Sequence, residues 1–503
     1  MISLPSISSI AIIGGGTAGW MTAAALSRKL PRDRVKIRLV ESAEIGIIGV
    51  GESTIPHIRY FNQMVGIDEA DFMRRTHATF KLGIEFTDWG RIGARYVHPF
   101  GDFGRGIAGV GFHHYWNRLR QTGEASDIGD YSVAVVAARR GKFGFPSTDE
   151  RSVLSSFSYA FQFDATKYAP YLRTLAEARG VERTEGTVVD VNLRAEDGHI
   201  ASVILKSGEV VTADFFFDCT GFHGRLIEQA MKTGYEDWSR WLPCDRAVAV
   251  PCEMQGPPVA YTRATARQAG WQWRIPLQHR VGNGHVYASA YMDDDQAGRT
   301  LLETIEGRPL AEPRVLKFQA GIRRKTWNRN CLAVGLSGGF LEPLESTSIH
   351  LIQVAIGHFL EMMPAKEIDP VDCDEYNRRI EIEFLRIRDF LILHYHATAR
   401  DDSDFWNYCR TMSIPDSLAY KIEQFQRRGY VVPYKDGIFR PASWIALYLG
   451  QGVVPERYDP LADQLDLAKV RDLAAGLRAL VSNAVDSLPP VATVLDGYCR
   501  ASA

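Results

Sequence analysis

The sequence lacks the patterns typical of membrane proteins, disulfide-stabilised proteins and nucleic-acid-binding proteins. No apolar run approaches the roughly 18 residues that span a membrane. The 58 basic and 60 acidic residues give a formal net charge of −2, without a long run of one sign. Seven scattered cysteines form no Cys-x-x-Cys pair and no metal-ligand spacing with histidine. Residues 1–9 have no basic region of the kind that begins a signal peptide. We therefore expect a cytoplasmic protein with no metal site, no nucleic-acid partner and no membrane partner.

The order of apolar patterns predicts an α/β protein with a helical addition. Residues 1–365 alternate strand-like and helix-like patterns, and their glycine turns at residues 196–198 and 206–208 predict hairpins. Beyond that point, apolar residues recur at helical spacing over residues 374–393 and 465–480. The sequence therefore predicts a nucleotide-binding domain over residues 1–365 and a mostly helical domain over residues 366–503.

The chain opens with a dinucleotide-binding fingerprint. The β-branched run from Ile10 leads into Gly14-Gly-Gly16-Thr-Ala-Gly19, and a helical pattern follows. In such a unit the first glycine forms the tight turn, the second lets the backbone approach a pyrophosphate, and the third lets helix pack on strand. A second strand pattern ends at Glu41, where a ribose hydroxyl needs an acceptor. The unit predicts a bound dinucleotide with its phosphates at the helix N-terminus.

Two later segments have the same character. Residues 214–221, which include Asp218, and residues 331–339, which include Gly335, are apolar runs that break into small residues. Either one alone is more readily interpreted as a core strand followed by a turn. Three such segments in series favour a flavin cofactor, FAD.

Several ordered motifs from residue 10 to about residue 350 carry a resemblance to a known family. The most specific is Trp271-Gln-Trp273-Arg-Ile-Pro276; the others are Gly14–Trp20, Gly49–Thr54, Lys81 within Phe-Lys-Leu-Gly-Ile, His98-Pro-Phe100 and Gly339–Thr347. With them, the chain resembles the flavin-dependent tryptophan halogenases. Past residue 365 the resemblance is one of general character only.

The resemblance implies a two-stage reaction. A separate flavin reductase supplies FADH2, and with oxygen and bromide or chloride the enzyme forms hypohalous acid, which reaches Lys81. This lysine either hydrogen-bonds the acid or forms a haloamine beside an indole ring, and it needs partial desolvation to do so. Glu345 matches the glutamate that polarises the acid or removes the ring proton, and Glu342 is its competitor.

The segment after Glu345 is expected to bind halide. The resemblance assigns this role to backbone amides of Thr347 and Ser348, at the start of an apolar helix. Family members carry glycine where this chain has Ser348, which leaves the choice of bromide or chloride open. The same residues also fit a plain helix start, with Ser346 or Thr347 as the capping side chain.

The two tryptophans of the Trp271–Pro276 motif, at positions i and i+2, fall on one face of an extended segment, where they would separate flavin from substrate. His98 and Phe100 match positions that sandwich an indole, although His98 also fits a core histidine. Indole or a larger indole compound is the expected substrate. The alternatives are a flavin-dependent aromatic monooxygenase and a non-catalytic flavin-binding protein.

The resemblance also implies a set of flavin contacts and leaves the oligomeric state open, with a homodimer as one option. The predicted FAD-binding residues are Gly14, Gly16, Thr17, Ala18, Gly19, Glu41, Gly49, Val50, Gly51, Asp218, Gly335 and Ser346.

Overall fold

The computed structural model describes residues 7–44, 51–435 and 437–500. The strands, in chain order, are β1 Ser9–Ile13, β2 Lys36–Glu41, β3 Gly51–Ser53, β4 Thr79–Lys81, β5 Gly83–Thr87, β6 Arg95–Pro99, β7 Ala160–Asp164, β8 Glu182–Glu185, β9 Val188–Leu193, β10 Ile200–Leu205, β11 Val210–Val211, β12 Phe215–Asp218, β13 Tyr235–Asp237, β14 Arg246–Cys252, β15 Thr262–Arg267, β16 Gly270–Pro276, β17 Val281–Tyr287, β18 Arg314–Lys317, β19 Gly321–Arg323, β20 Trp327–Asn328, β21 Cys331–Ala333 and β22 Gly339–Phe340. The α-helices are α1 Thr17–Lys29, α2 His57–Val65, α3 Glu69–Arg75, α4 Phe112–Gln121, α5 Val133–Arg139, α6 Ala165–Ala178, α7 Asp294–Thr304, α8 Ser348–Glu361, α9 Pro370–His396, α10 Asp404–Thr411, α11 Asp416–Arg428, α12 Pro441–Gly450, α13 Leu467–Asp486 and α14 Val491–Tyr498.

A six-stranded Rossmann-like sheet contains the predicted nucleotide segments. Its order is β20-β21-β12-β1-β2-β8, and all neighbours are parallel except β20 and β21. The short apolar runs form its inner strands. A parallel sheet that is covered on both faces buries nearly every side chain, so its inner strands need apolar residues at successive positions. Helix α1 follows β1 directly, and its residues from Gly19 to Leu26 are buried. The predicted strand-turn-helix-strand unit is confirmed.

Two further sheets position the other motifs. A seven-stranded sheet, β18-β14-β17-β16-β15-β5-β6, is antiparallel except where β15 runs parallel to β5. It carries the Trp271–Pro276 motif on β16 and His98 on β6. A three-stranded sheet, β3-β7-β4, carries Lys81 at the end of β4. The hairpins predicted at residues 196–198 and 206–208 connect β9, β10 and β11 and are confirmed.

The last third of the chain is helical, as the apolar spacing predicts. Both predicted amphipathic helices are present, as α9 and α13, and the described residues beyond 365 contain no strand apart from one isolated bridge at Pro490. One hydrophobic core includes residues from both sides of residue 365. The domain boundary itself stays a prediction.

No helix within the described ranges combines the length and apolar character needed to cross a membrane. All seven cysteines are buried free thiols.

The turn between β1 and α1 leaves no space for a side chain at its third glycine. A β-carbon at Gly19 would lie 1.8 Å from the carbonyl oxygen of Gly14, which itself has a positive φ of 114°. Helix α1 and the turn after β1 therefore approach so closely that only glycine fits at position 19. This close approach accounts for the third glycine of the fingerprint.

We predict that Gly19→Ala destabilises the protein by about 1–3 kcal/mol, the usual cost of overpacking a rigid contact. Thermal or urea unfolding measures the change. Gly476→Ala is the matched control: it lies within α13, where an added β-carbon would face open space, so alanine there should stabilise the helix by up to about 1 kcal/mol. Equal effects of the two substitutions would contradict the close approach at Gly19.

Candidate active site

The three cofactor-like segments meet at one edge of the Rossmann-like sheet. The ends of β1, β12 and β21 lie side by side, with Ile13 paired to Asp218 and Asp218 paired to Ala333. A β-carbon at Gly14 would meet the carbonyl oxygen of Cys219 at 2.3 Å, and one at Gly335 would meet the Ala18 side chain at 2.8 Å. The three segments thus converge at the place where the fingerprint predicts a bound dinucleotide.

The start of α1 fits the phosphates of a dinucleotide. Gly16 is the N-cap, makes no side-chain capping bond and faces open space. The amides of Thr17 and Ala18 begin the helix and have no partner within it, since the first turn of any helix leaves its N–H groups free. This cradle would hold the FAD pyrophosphate.

The carboxylates of two predicted flavin-binding residues accept hydrogen bonds from other groups of the protein. Glu41 accepts a 3.0 Å hydrogen bond from the Trp20 indole and pairs with Arg183. Asp218 accepts from the amides of Thr220, Leu226 and Ile227. Glu41 and Asp218 stay predictions as cofactor contacts, and both have a structural role.

Three predicted flavin contacts lie at the start of β3 or just before it. Gly49 and Val50 lie outside the described residues. Gly51 begins β3 and pairs with Asp164 of β7.

Lys81 is fully buried, which meets the expected need for desolvation. Its ammonium donates hydrogen bonds to the carbonyl oxygen of Thr54 at 3.0 Å and to the hydroxyl of Ser346 at 2.8 Å. The Phe100 ring centre is 5.2 Å from its nitrogen. Burial lowers the pKa of Lys81 to about 7, although the negative charge of Glu345 opposes this shift. Near neutral pH the side chain is therefore divided between amine and ammonium.

Glu345 lies in the same electrostatic environment, on the 3₁₀ turn Pro343–Glu345 before α8. One carboxylate oxygen is 2.8 Å from Nδ1 of His98, and the other is 2.9 Å from Nε2 of His394. Burial alone would raise the pKa of Glu345, but the two histidines outweigh it and bring the pKa to about 2. The carboxylate is therefore ionised throughout the physiological range.

Residues 346–348 form the transition into α8. Ser346 adopts the left-handed conformation, with φ of 59°, and Thr347 occupies the N-cap position without a capping hydrogen bond from its side chain. The prediction that Ser346 or Thr347 caps the helix is therefore wrong, because the Ser346 hydroxyl accepts from Lys81 and the Thr347 hydroxyl has no partner among the described residues. The uncapped amides at this N-terminus fit a halide.

The predicted tryptophan face is confirmed on β16. Trp271 and Trp273 are both buried, with ring centres 6.2 Å apart. The Trp271 indole donates to Glu342 at 2.8 Å, and the Tyr395 hydroxyl donates to the same oxygen at 2.6 Å. Burial raises the pKa of Glu342 to about 7, despite these two hydrogen bonds. Glu342 thus bonds Trp271 of β16, whereas Glu345 is the carboxylate whose charge acts on Lys81.

The two predicted substrate contacts lie beside the lysine and the glutamate. His98, the residue before the end of β6, lies next to Glu345, and its ring contacts Phe390 and Phe439 with centres 5.6 and 6.1 Å away. Phe100, just beyond the strand, lies beside Lys81. The geometry brings both residues to the site, while their contact with an indole stays a prediction. Trp406 and Trp444 of the helical region are buried core side chains.

Comparison with known proteins identifies the family. The tryptophan halogenase family model matches residues 9–467. The chain belongs to the tryptophan halogenase family. The curated tryptophan 6-halogenase SttH of Streptomyces toxytricini is 36% identical over 95% of this chain and 96% of its own.

Solved structures show the same relationship. The flavin-dependent halogenase Xcc4156 from Xanthomonas campestris is 46% identical, with a TM-score of 0.96 over 99% of both chains. BrvH, a flavin-dependent halogenase from Brevundimonas sp. BAL3, is 45% identical, with a TM-score of 0.95 over 98% of this chain and 100% of its own. This protein is accordingly a flavin-dependent halogenase with an α/β, Rossmann-like FAD-binding fold.

Sequence reasoning missed the contribution of α9 to this halogenase site. Its consecutive residues His394 and Tyr395 contact Glu345 and Glu342, respectively. A signal was present: two polar residues end the otherwise apolar run Phe390-Leu-Ile-Leu393 near the end of a long helix. Such residues in a buried helix require partners, although the sequence gives no means of identifying them.

We predict that Glu342→Gln makes the protein more stable than the wild type at pH 7.5 but not at pH 4. The folded protein keeps the Glu342 proton up to about pH 7, and the unfolded chain releases it near pH 4.3. Raising the pH through this window therefore favours unfolding of the wild type, by up to about 3 kcal/mol. Urea unfolding at several pH values measures the effect.

The exposed Glu381 of α9 provides the control, since Glu381→Gln should leave the pH dependence unchanged. A constant difference between Glu342→Gln and wild type across this range would show that Glu342 ionises normally.

Proposed function

We propose that this enzyme halogenates the ring of an indole compound by electrophilic substitution, with Lys81 and Glu345 as the catalytic pair. The observation that supports this assignment is the burial of a lysine with a pKa near 7 in the electrostatic field of an ionised glutamate. A buried pair of this kind has no structural necessity, because two charges removed from water cost more than apolar side chains of similar size.

When FADH2 is bound together with oxygen, the cofactor would supply the chemistry that oxidises the halide. A separate flavin reductase would provide the FADH2. The α1 cradle would hold its phosphates. The uncapped N-terminus of α8 at Thr347 and Ser348 would bind bromide or chloride. The two buried tryptophans of β16 would keep an organic substrate away from the flavin, so that only a small oxidant passes.

Lys81 then delivers the electrophile. Two of its N–H groups are committed to Thr54 and Ser346. The third position on the nitrogen is a lone pair in the amine and an N–H in the ammonium, so haloamine formation and hydrogen bonding to hypohalous acid are both chemically accessible near pH 7. Glu345, fixed between two histidines, would take the proton released from the ring.

A cleft between α2, α8 and α9 supports a substrate with a substituent on the indole. It has a volume of about 330 Å³ and is lined by residues of α2, α8 and α9 and by Gly437 and Ile438. His57 and His350, which line it, lie within four residues along the chain of Thr54 and Ser346, the acceptors of the Lys81 hydrogen bonds. His350 is buried, and neither ring nitrogen has a partner among the described residues.

These features favour indole, or an indole compound larger than tryptophan, over free tryptophan. We infer this preference from the cleft alone. Side-by-side turnover with free tryptophan as the best substrate would contradict it.

We predict that Lys81→Met lowers bromination of indole by at least about 100-fold while FAD binding persists, because the fold around the cradle does not depend on this ammonium. Mass spectrometry of indole incubated with enzyme, FAD, reductase, NADH, oxygen and bromide measures the product. Lys421→Met is the matched control: Lys421 is also buried with a pKa lowered to about 8, and it bonds the Val432 carbonyl. Hydroxylated indole as the wild-type product would instead indicate monooxygenase chemistry.

We predict that Val354→Trp, which fills the cleft on α8, lowers turnover of a tryptophan-containing dipeptide by about tenfold or more and leaves free indole largely unaffected. Competition between the two substrates in one reaction measures the ratio directly. Val371→Trp, at an exposed position in the first turn of α9, controls for the added ring. Equal loss on both substrates would argue against the cleft as the place of the substituent.

A further inference from the structure

The imidazole of His394 lies between two oxygen atoms, a backbone carbonyl on one side and a carboxylate on the other. Its Nδ1 lies 2.9 Å from the carbonyl oxygen of Phe390, one turn earlier in α9. Its Nε2 lies 2.9 Å from Oε1 of Glu345. A backbone carbonyl can only accept, so the proton of a neutral imidazole must be on Nδ1.

The second contact then requires one more proton. With Nδ1 protonated, a neutral His394 would point its Nε2 lone pair at the lone pairs of a carboxylate. Neither Nε2 nor Oε1 has a hydrogen-bond partner among the described residues, and the two atoms lie 2.9 Å apart. A lone pair on Nε2 would be repelled by an ionised carboxylate oxygen 2.9 Å away, whereas a proton on Nε2 makes the contact an attraction between opposite charges.

The surroundings fix the orientation of the His394 ring. Aromatic rings of Phe86, Trp89 and Phe390 pack around it at centre distances of 4.8, 5.8 and 5.3 Å. The side chain of Gln451 donates to the His394 carbonyl oxygen at 3.2 Å, which satisfies a backbone group at the end of α9. His394 is fully buried, so water cannot replace either contact.

The other oxygen of Glu345 makes a different demand. His98 approaches Oε2 through Nδ1 at 2.8 Å, and a neutral ring with its proton on that nitrogen satisfies this contact. The remaining ionisable groups near the carboxylate are Lys81 and Tyr96, which interact with Glu345 electrostatically. His394 is therefore the histidine whose contacts require both of its nitrogens to be protonated.

We propose that His394 is a positioning residue, an imidazolium that keeps Glu345 ionised and aligned to receive the ring proton. In that step the C–H bond at the halogenated carbon breaks, its electron pair returns to the aromatic ring, and the proton moves to the Glu345 carboxylate. The proton on His394 stays within the pair. The inference rests on the proposed role of Glu345 as the base.

The protonation state is tested by ¹⁵N NMR of protein labelled only in histidine. At about pH 8, histidines with an ordinary pKa near 6.5 are neutral, so a ring with two protonated nitrogens stands out. We expect one such ring in the wild type. Its signal should disappear in His394→Gln and revert to a neutral ring in Glu345→Gln. Absence of a doubly protonated ring in the wild type would overturn the proposal.

The kinetic consequence is tested with indole and bromide. We expect His394→Leu to lower kcat by about 100-fold, the scale on which a misplaced catalytic group costs rate, and to change KM for indole by less than about threefold. His394→Gln retains an N–H donor toward Glu345 and should recover at least about tenfold of that loss. Wild-type kcat in His394→Leu would refute the inference.

A matched histidine controls for loss of a buried ring. His285 on β17 is fully buried, with Nδ1 3.3 Å from the Ala297 carbonyl and Nε2 unpartnered in the described structure. It pairs with Gln272, on the sheet face opposite the two tryptophans. His285→Leu should keep kcat, and FAD binding with thermal unfolding verifies folding of every variant. If His394→Leu does not fold, the NMR spectra and His394→Gln decide the question.

Failure of the two proposals can be told apart with Glu345→Gln. Full halogenation by Glu345→Gln would remove Glu345 as the base and with it the role of His394. Loss of halogenation in Glu345→Gln, combined with wild-type kcat in His394→Leu, would leave the base in place and refute His394 alone.

Discussion

The burial of the Lys81 ammonium is the constraint on which the architecture of the site depends. A charged group removed from water needs hydrogen bonds and an opposite charge, or it loses its proton. Here the carbonyl of Thr54, the hydroxyl of Ser346 and the field of Glu345 meet part of that need. The remaining deficit lowers the lysine pKa to about 7, which keeps a reactive amine available in neutral solution.

Meeting that constraint requires contributions from separate parts of the fold. Lys81 comes from a three-stranded sheet, His98 from the edge of the seven-stranded sheet, Glu345 from the turn before α8, and His394 from α9. Because α9 is in the helical part of the chain, the two predicted domains share this site and one hydrophobic core. Displacing any of these elements would leave a buried charge without its partner, a larger cost than the loss of the pair as a whole.

A feature of this structure could be predicted from the sequence when the residues that determine it are close together along the chain. The fingerprint at Gly14–Gly19, the hairpins and the amphipathic helices were predictable because turn chemistry and apolar spacing are local properties. Lys81 and Glu345 were recognised through motif resemblance, not through their environment. The roles of Glu342 and His394 depend on contacts across 53 and 49 residues of chain, with Tyr395 and Glu345 respectively. No periodicity records which buried polar residue meets which.

The turn before α8 shows how a local prediction failed for a physical reason. A hydroxyl at a helix start ordinarily caps the first amides, yet Ser346 gives its hydroxyl to Lys81 and takes the left-handed conformation to do so. A non-glycine residue held there costs on the order of 1–3 kcal/mol, a strain typical of functional sites.

Ser348, by contrast, begins α8 in helical conformation and is partly buried. The enzymes that this chain resembles carry glycine at the position of Ser348. The backbone conformation here does not require a glycine at that position. The side chain at that position instead changes the space beside the uncapped amides, where a halide of one size would fit better than another. We therefore expect halide preference to depend on the side chain at Ser348, while the strain of the turn is concentrated at Ser346.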